Sequence, residues 1–245
     1  MCNETNEAAR AAALAFSAGL AASYRARLRE RLIGAYLIGS LAHGGFSHRY
    51  SDIDMALVTE DGLDAAALAA LRDLAANQDI KLARKLSLFW SDRSFTIGRL
   101  PPLDRVDYLD NAVALAERER VVPARPTAAE IRAYLQAAPF ANWAESARRF
   151  STMDVLAPAD HKAFVRALLY PARLVYSWST GRMGSNDEAV AFICEQRLPG
   201  MHTDIMVQAL ECRSAGVDPD PLFSSRSLLP DQVESCNRFM AQSAG

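Results

Sequence analysis

Two aspartates, Asp52 and Asp54, are separated by a single residue. The hydrophobic residues around and after them predict a strand from Ile53 to Val58. Alternate side chains of a strand point to the same face, so both carboxylates are expected on one side of it. Two neighbouring carboxylates repel each other unless a cation lies between them. Since oxygen donors of this kind suit magnesium or manganese, the spacing predicts a divalent-metal site.

Gly39 and Ser40 directly follow a short apolar segment, residues 35–38, which is typical of a buried strand. A glycine at this position lets the backbone approach a ligand closely, and the serine hydroxyl with nearby N–H groups can hold phosphate oxygens. A lone Asp-x-Asp is also common at an ordinary solvated strand start. The Gly-Ser segment upstream favours the interpretation as one phosphate and metal site, provided that the two strands are adjacent.

The chemistry that such a site favours is nucleotidyl transfer. Metal ions on a nucleoside triphosphate neutralise the charge that develops at the α-phosphorus and orient an incoming hydroxyl for in-line attack. A third acidic group commonly removes the proton of that hydroxyl, and pyrophosphate leaves.

The surrounding elements predict an α+β fold: a small mixed sheet with helices, followed by an all-helical bundle. Alanine- and leucine-rich composition indicates a first helix from about Glu7 to Leu32, with Asn6 as its cap. The residues from Gly39 to Ser51 are expected to form a loop. Further first-half elements are predicted as a helix over residues 63–76 and a strand over residues 86–90.

Prolines at positions 123 and 126 place the expected domain boundary, giving a domain of residues 1–124 and a helical domain of residues 125–245. Thr127 with Glu130, and Ser185 with Glu188, have the spacing of helix capping boxes. The remaining helices of the second half are predicted over residues 141–153, 159–180, 185–196, 201–215 and 230–242.

Two segments of the first half and two of the second resemble a known family. Leu37-Ile38-Gly39-Ser40 and Ser51-Asp52-Ile53-Asp54-Met55-Ala56-Leu57-Val58 are similar to the signature of the DNA polymerase beta-like nucleotidyltransferase superfamily. Within it, residues 168–177 and 180–189 resemble the C-terminal helical domain of aminoglycoside adenylyltransferases of the streptomycin/spectinomycin type. The likeness covers about residues 31–198.

The resemblance implies a set of roles. Gly39 and Ser40 would hold the phosphates of ATP, and Asp52 and Asp54 would bind Mg²⁺ and serve catalysis. Arg173 matches a helix arginine that lies near the nucleotide in the resembled enzymes. The active site would lie in the cleft between the two domains, and AMP would pass from ATP to a hydroxyl of a small molecule.

Two positions depart from the family pattern. Ser87 stands in the later strand where the family has its third carboxylate, and a serine neither binds a second metal as a carboxylate does nor acts as a base near neutral pH. Asp92 is the nearest substitute, but it is an odd number of residues further on and is expected to face the other way. Asn186 stands where the family often has a lysine that reaches the triphosphate.

The acceptor and the activity stay open at the level of sequence. In the family, acidic residues just upstream of the arginine-bearing helix segment bind the polycationic drug. The corresponding region here, Asp160-His161-Lys162, has a single acidic residue beside a lysine. This departure argues against an aminoglycoside. Two alternatives remain: a nucleotide-binding sensor or regulator with weakened catalysis, or transfer of AMP to a protein.

The overall composition and net charge argue against nucleic acid and membranes as partners. The 245 residues carry a net charge of -2 and half of them are hydrophobic, which is typical of a globular protein and predicts no broad attraction to nucleic acid. No apolar run is long enough to span a bilayer, and the first residues are polar and acidic, so a cytoplasmic location without membrane association is expected. The sequence does not indicate an oligomeric state.

Overall fold

The structure is a computed structural model that describes residues 2–243, with side chains from Glu4 onward. The chain divides into two compact units, one ending at Pro126 and the other beginning at Thr127. The elements of the first unit are α1 (Cys2–Leu28), β1 (Leu32–Ile38), α2 (Ser40–His43), β2 (Ile53–Thr59), α3 (Ala65–Gln78), α4 (Ile80–Ala83), β3 (Leu86–Asp92), β4 (Gly98–Arg99), α5 (Pro102–Asn111) and β5 (Val113–Glu117).

The strands form one sheet in the order β4-β3-β2-β1-β5. β2 and β3 are parallel and are joined through α3 and α4, while the other neighbouring pairs are antiparallel. Met55 and Leu57 face a core formed with α1 and α3, whereas Ala56 and Val58 face a core that includes Tyr108 of α5. The sheet is therefore covered on both faces, which explains why its central strands read as continuous apolar runs.

Two local predictions for the first unit need correction. α1 already includes residues 2–6, so Asn6 lies within the helix instead of capping it. Its side-chain amide donates to Phe46 O and its side-chain oxygen accepts from His48 N, at 3.0 and 2.8 Å. The segment predicted as a loop after Gly39 contains the short helix α2.

The second unit is helical, as predicted. Its helices in the described residues are α6 (Ala128–Gln136), α7 (Ala138–Ser151), α8 (His161–Thr180), α9 (Asn186–Gln196), α10 (Thr203–Ala215) and α11 (Leu229–Gln242). The predicted capping boxes at the starts of α6 and α9 are both confirmed. None of the helices that the structure describes is long and apolar enough to cross a lipid bilayer.

The long helix α8 contains Pro171, which has no N–H to donate to the carbonyl of Ala167 one turn earlier. The indole Nε1–H of Trp143 in α7 donates to this Ala167 oxygen at 2.9 Å, and its ring stacks on Tyr170 at 4.9 Å. A tryptophan from the neighbouring helix therefore supplies the hydrogen bond that the proline removes.

We expect Trp143→Phe to lower the free energy of unfolding by about 1–3 kcal/mol more than Trp178→Phe, because a buried carbonyl loses its donor. Trp178 is the matched control: it is buried in the same helical unit, but its indole nitrogen has no hydrogen-bond partner. Urea unfolding of the two variants measures the difference. Equal losses would show that the indole donor does not compensate for the proline.

Candidate active site

Gly39 and Asp54 lie against each other at one end of the sheet. Ile38, the last residue of β1, is paired with Asp54 in β2. A β carbon built on Gly39 would lie 2.4 Å from Asp54 Oδ2, far inside van der Waals contact. Gly39 also has φ +67° and ψ -158°, a conformation that only glycine adopts readily. The Asp54 carboxylate therefore occupies the space that any side chain at position 39 would fill.

Serine hydroxyls join the Gly39-Ser40 segment to the segment of the aspartates. Ser40 Oγ donates to Ser51 Oγ at 3.0 Å, and Ser51 Oγ also accepts from the backbone N–H of Ser47 at 2.9 Å. Ser51 is buried and directly precedes Asp52, which is half-buried. The structure thus brings Gly39, Ser40 and the start of β2 into one place.

The connection between α2 and β2 is held from two sides. The Asn6 side chain bonds Phe46 and His48, and the Lys85 ammonium donates to His48 O. The pKa of His48 lies below its ordinary value because burial disfavours the charged ring and because Lys85 and Arg49 are positive. Since the imidazole is then mostly neutral at pH 7, it does not add a positive charge for a phosphate.

Asp107 of α5 accepts a hydrogen bond from the backbone of Gly39, and the sequence analysis did not identify it. This carboxylate is 2% exposed; its Oδ2 accepts from Gly39 N at 2.6 Å, and its Oδ1 accepts from the Asn111 amide at 2.8 Å. A sequence signal was available. Asp107 follows Leu103 and Val106 at helical spacing, so an acid stands on the apolar face of an amphipathic helix.

Aromatic contacts hold α5 in the position that this hydrogen bond needs. The rings of Tyr36 in β1 and Tyr108 in α5 meet edge to face at 5.0 Å. The Arg120 guanidinium lies over both rings, 4.7 and 4.5 Å from their centroids. Burial is the main cause that raises the pKa of both tyrosines, so both hydroxyls stay protonated.

Ser87 is the neighbour of Asp54 on the parallel strand β3. In a pleated sheet, the side chains of paired residues on adjacent strands point to the same face. Ser87 and the Asp54 carboxylate therefore lie side by side. The position that carries a third carboxylate in the resembled family therefore holds a half-buried hydroxyl here.

Asp92 does not replace the missing carboxylate. It pairs with Thr59, five residues beyond Ser87, which places it about 16 Å along the strand at the opposite end of the sheet. It accepts from the backbone N–H groups of Thr96 and Ile97 at 2.9 and 2.8 Å. Burial alone would raise the pKa of this carboxyl, but these bonds and those from Ser94 lower it. Asp92 organises the turn between β3 and β4.

Arg173 and Asn186 lie in the helical unit. Arg173 is half-buried in α8, and its guanidinium lies 3.9 Å from the sulfur of Met183. Asn186 is the first residue of α9, directly after the cap Ser185. The role of Arg173 beside a nucleotide stays a prediction from the resemblance.

The oxygen donors of Asp52 and Asp54 fit a magnesium ion. Both carboxylates are half-buried, and Asp54 sits beside the Gly39 backbone, where a phosphate can approach. A second group with metal-binding chemistry occurs in the helical unit: single donor atoms of His161, Asp218 and Asp220 lie within 4.8 Å of one another. Its two aspartates are exposed, and His161 Nε2 lies 3.0 Å from Asp220 Oδ1.

Comparison with solved structures shows that the chain shares the fold of an adenyltransferase, with a mixed α+β part followed by a helical C-terminal part. One such structure is the spectinomycin adenyltransferase AAD(9) from Enterococcus faecialis with ATP and spectinomycin. It is 12% identical to this chain over 89% of this chain and 94% of its own, with a TM-score of 0.57. The predicted α+β fold and the resemblance to this fold are thus confirmed.

A toxin-antitoxin structure with AMP-PNP is 22% identical over 42% of this chain and 74% of its own, with a TM-score of 0.32. No protein-family model matches the sequence. No curated protein matches it either.

We expect Gly39→Ala to weaken Mn²⁺ binding about ten- to hundredfold, because the new methyl group would displace the Asp54 carboxylate. Gly44→Ala is the matched control, since Gly44 has a similar backbone conformation, φ +95° and ψ 177°, but open space around the missing side chain. Backbone strain should cost each variant about 1–3 kcal/mol of stability. Titration of both folded variants with Mn²⁺ separates displacement of the Asp54 carboxylate from the effect of backbone strain. Equal Mn²⁺ affinities of the two variants would argue against a metal at Asp54.

Proposed function

We propose that this protein is a nucleotidyltransferase that transfers AMP from Mg-ATP to a hydroxyl of a small molecule. The observation that carries the proposal is the contact between Gly39 and the Asp54 carboxylate, which combines a phosphate-accessible backbone with an oxygen donor for magnesium. The fold shared with ATP-using adenylyltransferases agrees with it.

Each residue has a defined task in this proposal. Gly39 and Ser40 position the triphosphate, while Asp52 and Asp54 hold magnesium, which when bound offsets the charge of the phosphates. The acceptor hydroxyl oxygen forms a bond to the α-phosphorus as the bond to the bridging oxygen of the β-phosphate breaks. Pyrophosphate leaves with that electron pair, and the hydroxyl proton passes to water.

The hydrogen bond from Gly39 N to Asp107 makes the phosphate-facing backbone rigid before substrate arrives. A preorganised site avoids reordering during the reaction, and misplacement by about 1 Å can cost roughly a hundredfold in rate. Asp107 is therefore a positioning residue in this proposal, since it acts through Gly39 and has its own oxygens occupied by Gly39 and Asn111.

We expect Asp54→Asn to reduce Mg²⁺-dependent pyrophosphate release by roughly a hundredfold or more, because the amide removes the charge that holds the metal against the phosphates. Asp154→Asn is the control, as Asp154 is exposed in the helical unit. Release is measured with ATP over a panel of hydroxyl acceptors. Unchanged turnover in Asp54→Asn would remove this site from the mechanism.

A second candidate function is a nucleotide-binding sensor with weakened catalysis, and Ser87 is the observation that favours it. The position beside Asp54 holds no carboxylate, and Asp92 is engaged in a turn at the far end of the strand. Binding of Mg-ATP without pyrophosphate release for any acceptor would favour the sensor over the transferase.

We expect Ser87→Glu to tighten Mn²⁺ binding about tenfold, since a further carboxylate beside Asp54 adds a charged oxygen ligand. Ser87→Gln is the control of equal size without the charge. Calorimetric titration in the absence of nucleotide gives both affinities. Identical affinities for the two variants would show that position 87 does not face the metal.

A further inference from the structure

Three side chains with metal-binding chemistry lie close together in the helical unit, although they come from distant parts of the chain. His161 is the first residue of α8. Asp220 begins the 3-10 helix that leads into α11, and Asp218 lies two residues before it. One donor atom from each side chain lies within 4.8 Å of the other two, and in the residues that the structure describes no other three such donors are this close.

The Nε2 atom of His161 faces Asp220 without a hydrogen bond between them. This nitrogen is buried, and within the described part of the chain it has no hydrogen-bond partner. Asp220 Oδ1 is 3.0 Å away, but it lies outside the direction in which the nitrogen could form a hydrogen bond with it. Buried polar atoms are rarely left without a partner. The close approach of a buried nitrogen and a carboxylate therefore needs another explanation.

The distance between these two atoms fits a shared metal ion. Zn²⁺ binds histidine nitrogen and carboxylate oxygen at about 2.1 Å, so two neighbouring ligands lie roughly 3.0–3.4 Å apart. The 3.0 Å between His161 Nε2 and Asp220 Oδ1 is at the short end of this range. An ion that both atoms bind lies along the nitrogen lone pair, and the oxygen is then well off that axis. This arrangement agrees with the absent hydrogen bond.

The segment that carries the two aspartates is held by hydrogen bonds to its backbone. Asp218 Oδ1 accepts from Asp220 N at 3.0 Å, and the Asp218 carbonyl accepts from the buried thiol of Cys212 at 3.9 Å. The acid that directly precedes α8, Asp160, is paired with Arg149 at 2.7 Å. The group of donors consists of one imidazole and two exposed carboxylates, which an ion can reach from solvent.

We propose that His161, Asp218 and Asp220 bind one Zn²⁺ ion, which links the start of α8 to the segment that leads into α11. An imidazole nitrogen favours zinc over magnesium and calcium, which prefer oxygen ligands alone. Two carboxylates balance the charge of the ion, and water can complete its coordination. This site is separate from the magnesium site proposed at Asp52 and Asp54 and does not depend on nucleotidyl transfer.

Calorimetric titration of the full chain with Zn²⁺ tests the site. An Asp52→Asn/Asp54→Asn background removes the other candidate metal ligands. In this background we expect one Zn²⁺ ion per chain, bound about tenfold or more weakly in His161→Gln and in Asp220→Asn, because each variant loses a ligand. Circular dichroism shows whether both variants are folded. Unchanged Zn²⁺ affinity in His161→Gln would overturn the proposal.

His202→Gln is the matched control. His202 Nε2 lies 3.9 Å from Asp231 Oδ2, but among the described residues this pair belongs to no group of three donors. Zn²⁺ affinity should not change in this variant, and a loss equal to that of His161→Gln would overturn the assignment. X-ray absorption of the zinc-loaded chain gives the ligand type. Ligands at about 2.0–2.2 Å support the site, whereas sulfur at about 2.3 Å would assign the ion to cysteines and overturn it.

Thermal unfolding tests whether the ion links the two segments. Saturating Zn²⁺ should raise the Tm of the parent chain by several degrees and leave that of His161→Gln unchanged, because a ligand that binds only the folded state stabilises it. Zinc binding that depends on His161 without any rise in Tm would overturn the link between α8 and the segment before α11.

Discussion

The candidate site depends on one steric constraint: the absence of a side chain at Gly39. Because nothing projects from this residue, the Asp54 carboxylate can lie against the backbone that follows β1. Two further contacts fix the arrangement, the hydrogen bond from Gly39 N to Asp107 and the Ser40–Ser51 hydroxyl bond. The site is therefore built from both central strands and from α5, and a change in any one of them would alter the position of the carboxylate.

The two ends of the sheet carry different polar residues, because the parallel pairing of β2 with β3 places Asp54 and Asp92 at opposite ends. At one end Asp54 pairs with Ser87, and at the other Thr59 pairs with Asp92. Near the second end, Arg93 and Arg118 both pair with Glu60 on the surface. Exposed ion pairs of this kind add little stability. They do pair the charged side chains at this end of the sheet with one another.

The sequence predicted the elements well where one local rule decides the structure. The strand of Asp54, the helix capped at Thr127 and the helix capped at Ser185 all follow from apolar periodicity or cap spacing. Asn6 was assigned wrongly because its bonds to Phe46 and His48 join residues some forty positions apart. The position of Asp107 on the apolar face of α5 is visible in the sequence, but its partner is not, because Gly39 is 68 residues away and no local pattern identifies that contact.

One departure from the resembled family changes the charge at the centre of the candidate site. Ser87 removes a negative charge at the position beside Asp54. This difference shifts the local potential in the direction that favours an anion over a cation. A third carboxylate at position 87 would oppose an anionic acceptor next to it, since like charges a few ångströms apart repel. Under the proposed function, Ser87 therefore influences which acceptors can bind beside Asp54. Transfer of the proton from the acceptor hydroxyl is slower, because no carboxylate at position 87 accepts it.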